Sequence, residues 1–220
     1  MKKLTLLLSF FIPLFASAQK SDSTSTEYKI IRGGFIEHST ELKSKRYIKN
    51  GLSEIKGGRK KVASGAYKDG ERIGRWYFFK FADSAIVDQI YNYSTHEVEI
   101  SNVPENTTYE IEGSEISKNI IYPCKIGGFD YGMHFLTKEF KIPGELKSLN
   151  GRHDVFLIFT IDSAGKLENY EQKIASTSYN SSKTVDLAKF KPDDLTFIPA
   201  KVNGVAVKSK LILKKSITIN

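Results

Sequence analysis

His38, His96, His134, His153, Cys124 and the adjacent pair Asp193-Asp194 are the residues best suited to acid–base, nucleophilic or metal chemistry. None of the histidines falls in a ligand spacing such as H-E-x-x-H, which sets two imidazoles on one helix face. His96-Glu97-Val98-Glu99 alternates instead, and reads as a solvated strand with His96 and Val98 on one face. Cys124 has neither a glycine-rich elbow nor a histidine close in sequence to draw off its proton, and is expected to be a small buried thiol. Adjacent carboxylates rarely converge on one point, so Asp193-Asp194 after Pro192 is read as a turn or a helix cap. The pairs Gly33-Gly34, Gly57-Gly58 and Gly127-Gly128 do not stand in the G-x-x-x-x-G-K-[ST] frame that cradles phosphate. The basic run Gly57–Lys61 is read as a solvated loop. No catalytic residue, metal ligand or cofactor is therefore expected, and the chain is not read as an enzyme.

The start of the chain points to export. Lys2 and Lys3 precede an apolar run from Leu4 to Phe15, and Ala16-Ser17-Ala18 offers a small-x-small cleavage site. That is the pattern of a secretory signal peptide over residues 1–18, too short to span a bilayer and interrupted by Pro13. A single cysteine permits no internal disulfide, which suits a bacterial envelope better than an oxidising eukaryotic pathway. The expected location is periplasmic or secreted, with no stable membrane span after cleavage. Formal charge falls from +8 to +6 once Lys2 and Lys3 are removed. The charge is segregated: residues 43–80 hold twelve Lys/Arg, whereas residues 81–117 hold eight Asp/Glu and neither Lys nor Arg. Such segments pair across neighbouring strands of one sheet, and no nucleic-acid partner is inferred from them.

Residues 19–27 are polar and Ser/Thr-rich and read as a mobile leader. Residues 28–118 show short β-type runs parted by turn residues, with no long stretch of helical period, and predict an antiparallel meander. Asn50-Gly51 and Asp69-Gly70 are read as its hairpin turns. Within it, "GAYKDGERIGRWY" places glycines where tight turns need them, and sets Tyr67, Trp76 and Phe78 on one sheet face.

Residues 119–220 differ in character. Asp130 is read as the cap of a helix carrying Tyr131, Phe135, Leu136 and Phe140 on one face, stopped by Pro143-Gly144. "DVFLIFTIDSAGKLENYEQKI" predicts a hairpin turning at Asp162–Lys166. Its first strand points Val155, Leu157, Phe159 and Ile161 one way and Phe156 and Ile158 the other, as a strand covered on both faces does. "SSKTVDLAKF" is read as a short helix capped by Ser181 or Ser182. The closing strand puts Val205, Val207, Leu211, Leu213, Ile217 and Ile219 on one face; Lys208, Lys210, Lys214, Ser216 and Thr218 lie on the other, with Ile212 as exception. Lysines on the wet face of an edge strand discourage unwanted pairing.

Two resemblances follow from these residues. Gly65, Tyr67, Gly70, Gly74, Trp76 and Tyr77 resemble one unit of the MORN-like repeat, G-x-Y-x-x-G-x-x-x-G-x-W-x-Y. Residues 127–219 resemble the C-terminal domain of TonB-type energy transducers. The matching pieces are Gly127-Gly128, "FLTKEFKIP", "DVFLIFTIDSAGKL" and "FIPAKVNGVAV", with Pro199, Ala200, Asn203, Gly204 and Val207 in the places of W-x-P-A-x-x-N-G-x-x-V and Phe197 in place of its tryptophan. The resemblance implies an α+β fold, a MORN-like meander followed by a three-stranded antiparallel sheet with two helices. It also implies a last strand near the sheet edge that takes an extended segment, such as one from an outer-membrane transporter, by strand addition. The expected partner-binding residues are Lys208, Lys210, Leu211, Ile212, Leu213, Lys214 and Ser216, with Tyr67, Trp76 and Tyr77 as a secondary contact surface. The same edge would serve a homodimer. Two other readings are a true transducer that keeps its N-terminal helix, and an exported hydrolase with a site between the two halves.

Overall fold

Turn residues cut the first half of the chain into strands that pair only with their neighbours in sequence. The computed structural model describes residues 23–114 and 119–220; the expected signal peptide lies outside the described residues. Seven strands, β1 (Thr24–Ile30), β2 (Ile36–Leu42), β3 (Lys45–Gly57), β4 (Lys60–Lys68), β5 (Glu71–Phe79), β6 (Val87–Asn92) and β7 (Glu97–Ser101), form one antiparallel sheet in chain order. The meander begins earlier than expected, because Thr24–Glu27, read as leader, pairs with Ser39–Leu42. Asp69-Gly70 turns β4 into β5 with φ of 50° and 90°, left-handed values that Asp and Gly tolerate. Asn50-Gly51 makes no hairpin. It lies inside β3, where Gly51 has φ 104° beside an irregularity in the β2–β3 register, so the positive φ serves a bulge rather than a reversal.

The remaining strands are β8 (Thr107–Ile111), β9 (Ile120–Ile121), β10 (Cys124–Lys125), β11 (Gly151–Ile161), β12 (Leu167–Ala175), β13 (Asn180–Thr184), β14 (Phe197–Ile198), β15 (Ala200–Val202), β16 (Val205–Val207) and β17 (Ser209–Ile219). Five of them make a second antiparallel sheet in the order β13-β12-β11-β17-β8. The three strands expected here, β11, β12 and β17, are its centre. β8 joins it from before the expected boundary at residue 118, and β13 replaces the short helix read over "SSKTVDLAKF". That segment has no apolar stripe to seat a helix, and its Ser and Thr residues pair along β12 instead. Only a single turn at Leu187–Lys189 follows, capped by Asp186, whose side chain accepts from Ala188 N.

Helix is scarce. The stretch read as one helix from Tyr131 to Phe140 is a π-turn, Gly128–Gly132, followed by a five-residue helix α1 (His134–Lys138). Asp130 caps nothing; its Oδ2 accepts from Phe81 N at 2.6 Å, in the other half of the molecule. The break divides the expected single face. Tyr131 and Phe135 pack on the core of the first sheet, while Leu136 and Phe140 belong to that of the second.

Parity decides the second core. Val155, Leu157, Phe159 and Ile161 are all fully buried, whereas Phe156 and Ile158 are only half-buried, so β11 is covered on one face and not on both. The first core gathers Phe35, Ile55, Val62, Tyr67, Trp76, Phe78 and Tyr91. Trp76 needs a glycine opposite: a Cβ on Gly65 would sit 2.4 Å from its ring. Gly65→Ala is therefore expected to cost about 1–3 kcal/mol, because a close-packed ring has nowhere to go. A urea melt should show a lower midpoint at unchanged slope, and an unmoved midpoint would contradict the packing.

Candidate binding sites

Two places bear on function: the closing ribbon, and the cleft where the two sheets meet. In the ribbon, Lys208 breaks the expected strand, and Val205–Val207 pairs with β15 in a small separate sheet. From Ser209 to Leu213 the flank expected to be open is occupied by β8, in the register Ser209↔Ile111 to Leu213↔Thr107. Lys214 N also donates to Asn106 O at 2.9 Å. The edge position expected for Lys208, Lys210, Leu211, Ile212, Leu213 and Lys214 is thus corrected. Alternation over "TTYEI" identifies a strand but not its sheet; half-buried Tyr109 packs on the second core, and Ile111 is buried opposite Ser209.

The side chains of this ribbon are also engaged. Leu211 and Leu213 are core, Ile212 is half-buried, and Lys208, Lys210 and Lys214 pair with Glu168, Glu110 and Asp154. Beyond Lys214 the chain of β8 has turned away, and among the described residues Lys215–Ile219 pairs on one side only, with Gly151–Val155. Since Lys214 N points to the β8 side, the backbone groups of Ser216 and Thr218 point the same way, onto an open flank. Ser216 Oγ itself donates to Asp154 Oδ1.

The expected secondary surface is corrected as well. Trp76 is fully buried and Tyr67 nearly so, as members of the first core, and half-buried Tyr77 points to the opposite face.

The seam between the sheets rests on β6. Asp88 and Gln89 are both fully buried. Gln89 Oε1 accepts from Gly127 N at 2.7 Å and Gly128 N at 3.2 Å, and its Nε2 donates to Lys125 O at 2.9 Å. Asp88 Oδ2 accepts from Asp130 N at 3.0 Å, and Lys80 neutralises the carboxylate from 2.7 Å. Gly127 and Gly128 take φ of 100° and 76°, and a Cβ on Gly128 would fall 2.3 Å from Asp88 Oδ2. The pair singled out as no phosphate loop is thus the point at which the second half docks. Arg32 adds an ion pair to Asp194, with its guanidinium 4.1 Å above the Phe135 ring.

Beside this seam opens a cleft of about 800 Å³, with walls from β4, β5, the β6–β7 turn, the Lys125–Phe135 segment and the turn at Pro192–Thr196. Cys124 is buried next to it, and burial pushes its thiol up to about 11, which makes it inert. Lys125 is buried with its Nζ donating to Asp193 O at 2.7 Å and Thr196 O at 2.6 Å. Burial pulls its pKa down to about 8, against the opposing pull of Asp194 and Asp193. Asp194 caps its own turn, accepting from Lys191 N at 3.0 Å, as read from the sequence.

Comparison of the chain with protein-family models, with curated proteins and with solved structures finds no match.

The depressed Lys125 pKa has a sign that can be checked. Between pH 8 and the ordinary lysine value of 10.5, the unfolded chain keeps the proton that the folded chain has lost, so stability rises with pH. Relative to Lys125→Met, the wild-type protein should gain up to about 1.4 kcal/mol per pH unit across that window. Urea melts at pH 7, 8.5 and 10 measure the difference; a flat or falling difference would contradict the buried amine.

Proposed function

We propose that the chain is a non-enzymatic exported envelope protein that binds an extended segment of a partner protein by strand addition, on the open flank of β17 at Lys215–Ile219. The MORN-like meander and the TonB-like sheet belong to this reading. The packing of Trp76 on Gly65 supports the first, and the adjacency of β12, β11 and β17 supports the second.

One observation carries the proposal: β17 outruns its neighbour β8, and among the described residues no strand lies on that side of Ser216 and Thr218. Main-chain hydrogen bonds give the affinity in such a mode, and side chains beside them give the selectivity. Half-buried Ile217 and Ile219 lie along this flank, whereas the other outer strand of the sheet, β13, offers only Asn, Ser, Lys and Thr. A guest lying in line with β8 would extend the sheet over about 17 Å, and exposed Lys214 and Lys215 would favour an acidic one.

Thr218→Pro tests the proposal, because it removes a donor that faces the open flank and leaves the β11 ladder intact. Partners cross-linked to the wild-type protein in envelope extract should be lost from the variant at unchanged thermal stability. Retention of the same partners would refute strand addition here. Sedimentation at rising concentration identifies a second copy as the guest if wild-type dimerises and Thr218→Pro does not.

A further inference from the structure

One cation lining the cleft, Arg72, has no carboxylate within ion-pair distance among the described residues. On the floor of the cleft runs a chain of hydrogen bonds from Lys49 through Glu37, Tyr67 and Arg72 to Tyr93. Glu37 is buried and accepts from Lys49 Nζ, from Ser53 Oγ at 3.0 Å and from Tyr67 Oη at 3.0 Å. Burial works to raise its pKa, but the bonds from Lys49, Ser53 and Tyr67 prevail and bring it below the usual range. Glu37 and Lys49 therefore cancel. Arg72 comes next, donating through Nε to Tyr67 Oη at 3.3 Å and through Nη1 to Tyr93 Oη at 2.7 Å. Its guanidinium lies 4.2 Å above the Trp76 ring, and the Tyr131 hydroxyl lies against it. Burial opposes its charge, yet the tyrosine oxygens around it outweigh that, and its pKa is raised.

Among the described residues no carboxylate stands within ion-pair distance of Arg72. The acids lining the same cleft are engaged or peripheral: Asp194 is held by Arg32 and the Lys191 amide, and Glu71 and Asp193 are exposed. The phenols of Tyr93 and Tyr131 keep their protons, since burial raises both pKa values, and neither proton has an acceptor among the described residues. The cluster thus presents donors only: the unused N–H groups of a planar fork and two hydroxyls, facing an opening walled by Ile73, Ile126 and Phe135. Arg72 is half-buried, and a charge drawn partly out of water without a counter-ion is costly; what completes this one is an acceptor with two coplanar oxygens.

We propose that the cleft between the two sheets is a binding site for a carboxylate attached to an aromatic or other apolar group, with Arg72 forking the two oxygens and Tyr93 and Tyr131 donating to them. The apolar group lies against Phe135 and Ile73. A small organic acid and the C-terminal carboxylate of a peptide share this chemistry. The site shares no residue with the β17 flank and stands independently of it.

Trp76, the sole tryptophan, lies under Arg72 and reports occupancy by its fluorescence. Benzoate titrated into the full protein at constant ionic strength should give a saturable change with Kd of about 1 mM or tighter, and benzamide, its neutral isostere, should give none. Arg72→Met should weaken benzoate roughly tenfold to a hundredfold, as expected for loss of charged hydrogen bonds, and Tyr93→Phe about two- to tenfold. Arg72→Lys keeps the charge but not the fork and should also weaken it at least about tenfold. A short peptide ending in phenylalanine and its C-terminal amide separate the two sources. A free-acid peptide binding more tightly than benzoate identifies a chain terminus as the natural ligand, and benzoate binding more tightly identifies a small acid. Should Arg72→Met fail to fold, Arg72→Lys and Tyr93→Phe decide. The proposal is overturned if neither acid gives a saturable response, if benzamide matches benzoate, or if Arg72→Lys and Tyr93→Phe both bind as the wild-type protein does.

Discussion

Two neighbouring side chains on β6 hold this molecule together. Asp88 and Gln89 point away from the first sheet's solvent and receive three backbone N–H groups of the segment that opens the second half, at Gly127, Gly128 and Asp130. Each of those donors, if buried without a partner, would cost about 1–3 kcal/mol, and a buried carboxylate without Lys80 would cost more. Glycine is required at both docking positions, because the φ values are left-handed and the Asp88 carboxylate lies against Gly128. Polar pairing therefore fixes where the segment sits, and apolar packing then follows: Tyr131 stacks 5.8 Å from Phe78, and Leu136 fills the other core.

That docking creates the cleft. Lys125 lies between the two functions of its own backbone and side chain, since its carbonyl accepts from Gln89 and its amine ties down the turn at Asp193–Thr196. The same geometry brings Tyr131 to Arg72 from the far side of the chain. Neither half alone would assemble the donor cluster. The segregated charge of the sequence finds part of its explanation here as well. Lys80, just past β5, meets Asp88 on the adjacent β6, and Arg75 on β5 reaches over β6 to Glu99 on β7. Arg72, from the same stretch, has no carboxylate within ion-pair distance among the described residues.

Much of the local structure was legible in the residues. The inward set of β11, the turn at Asp69-Gly70 and the turn at Asp162–Lys166, where Asp162 Oδ1 accepts from Ala164 N and Lys166 N, all express short-range chemistry. Several of the errors were settled by pairing with another strand. β8 alternates as a meander strand would, but Tyr109 finds its cover on a core built mostly from residues beyond 128. Asn50-Gly51 carries the residue types of a hairpin, yet Thr40 on β2 receives that backbone, with its hydroxyl donating to Asn50 O at 2.6 Å. Of the candidate sites, the ribbon was visible as a pattern, and only its last five residues keep an open flank. The Arg72 cluster left no local signature: Tyr67 was read for packing, Arg72 was one of the twelve Lys/Arg of residues 43–80, and nothing in their spacing told of Tyr93 or Tyr131.

The docking of the glycine pair on β6 is the claim on which the cleft, and the second sheet's placement, depend. Amide hydrogen exchange at Gly127, Gly128 and Asp130 tests it directly. If Gln89 and Asp88 hold these groups as described, all three exchange only through near-global opening, with free energies within about 1 kcal/mol of the unfolding value. Exchange at the rate of an open loop, while the β11 amides stay protected, would contradict the account.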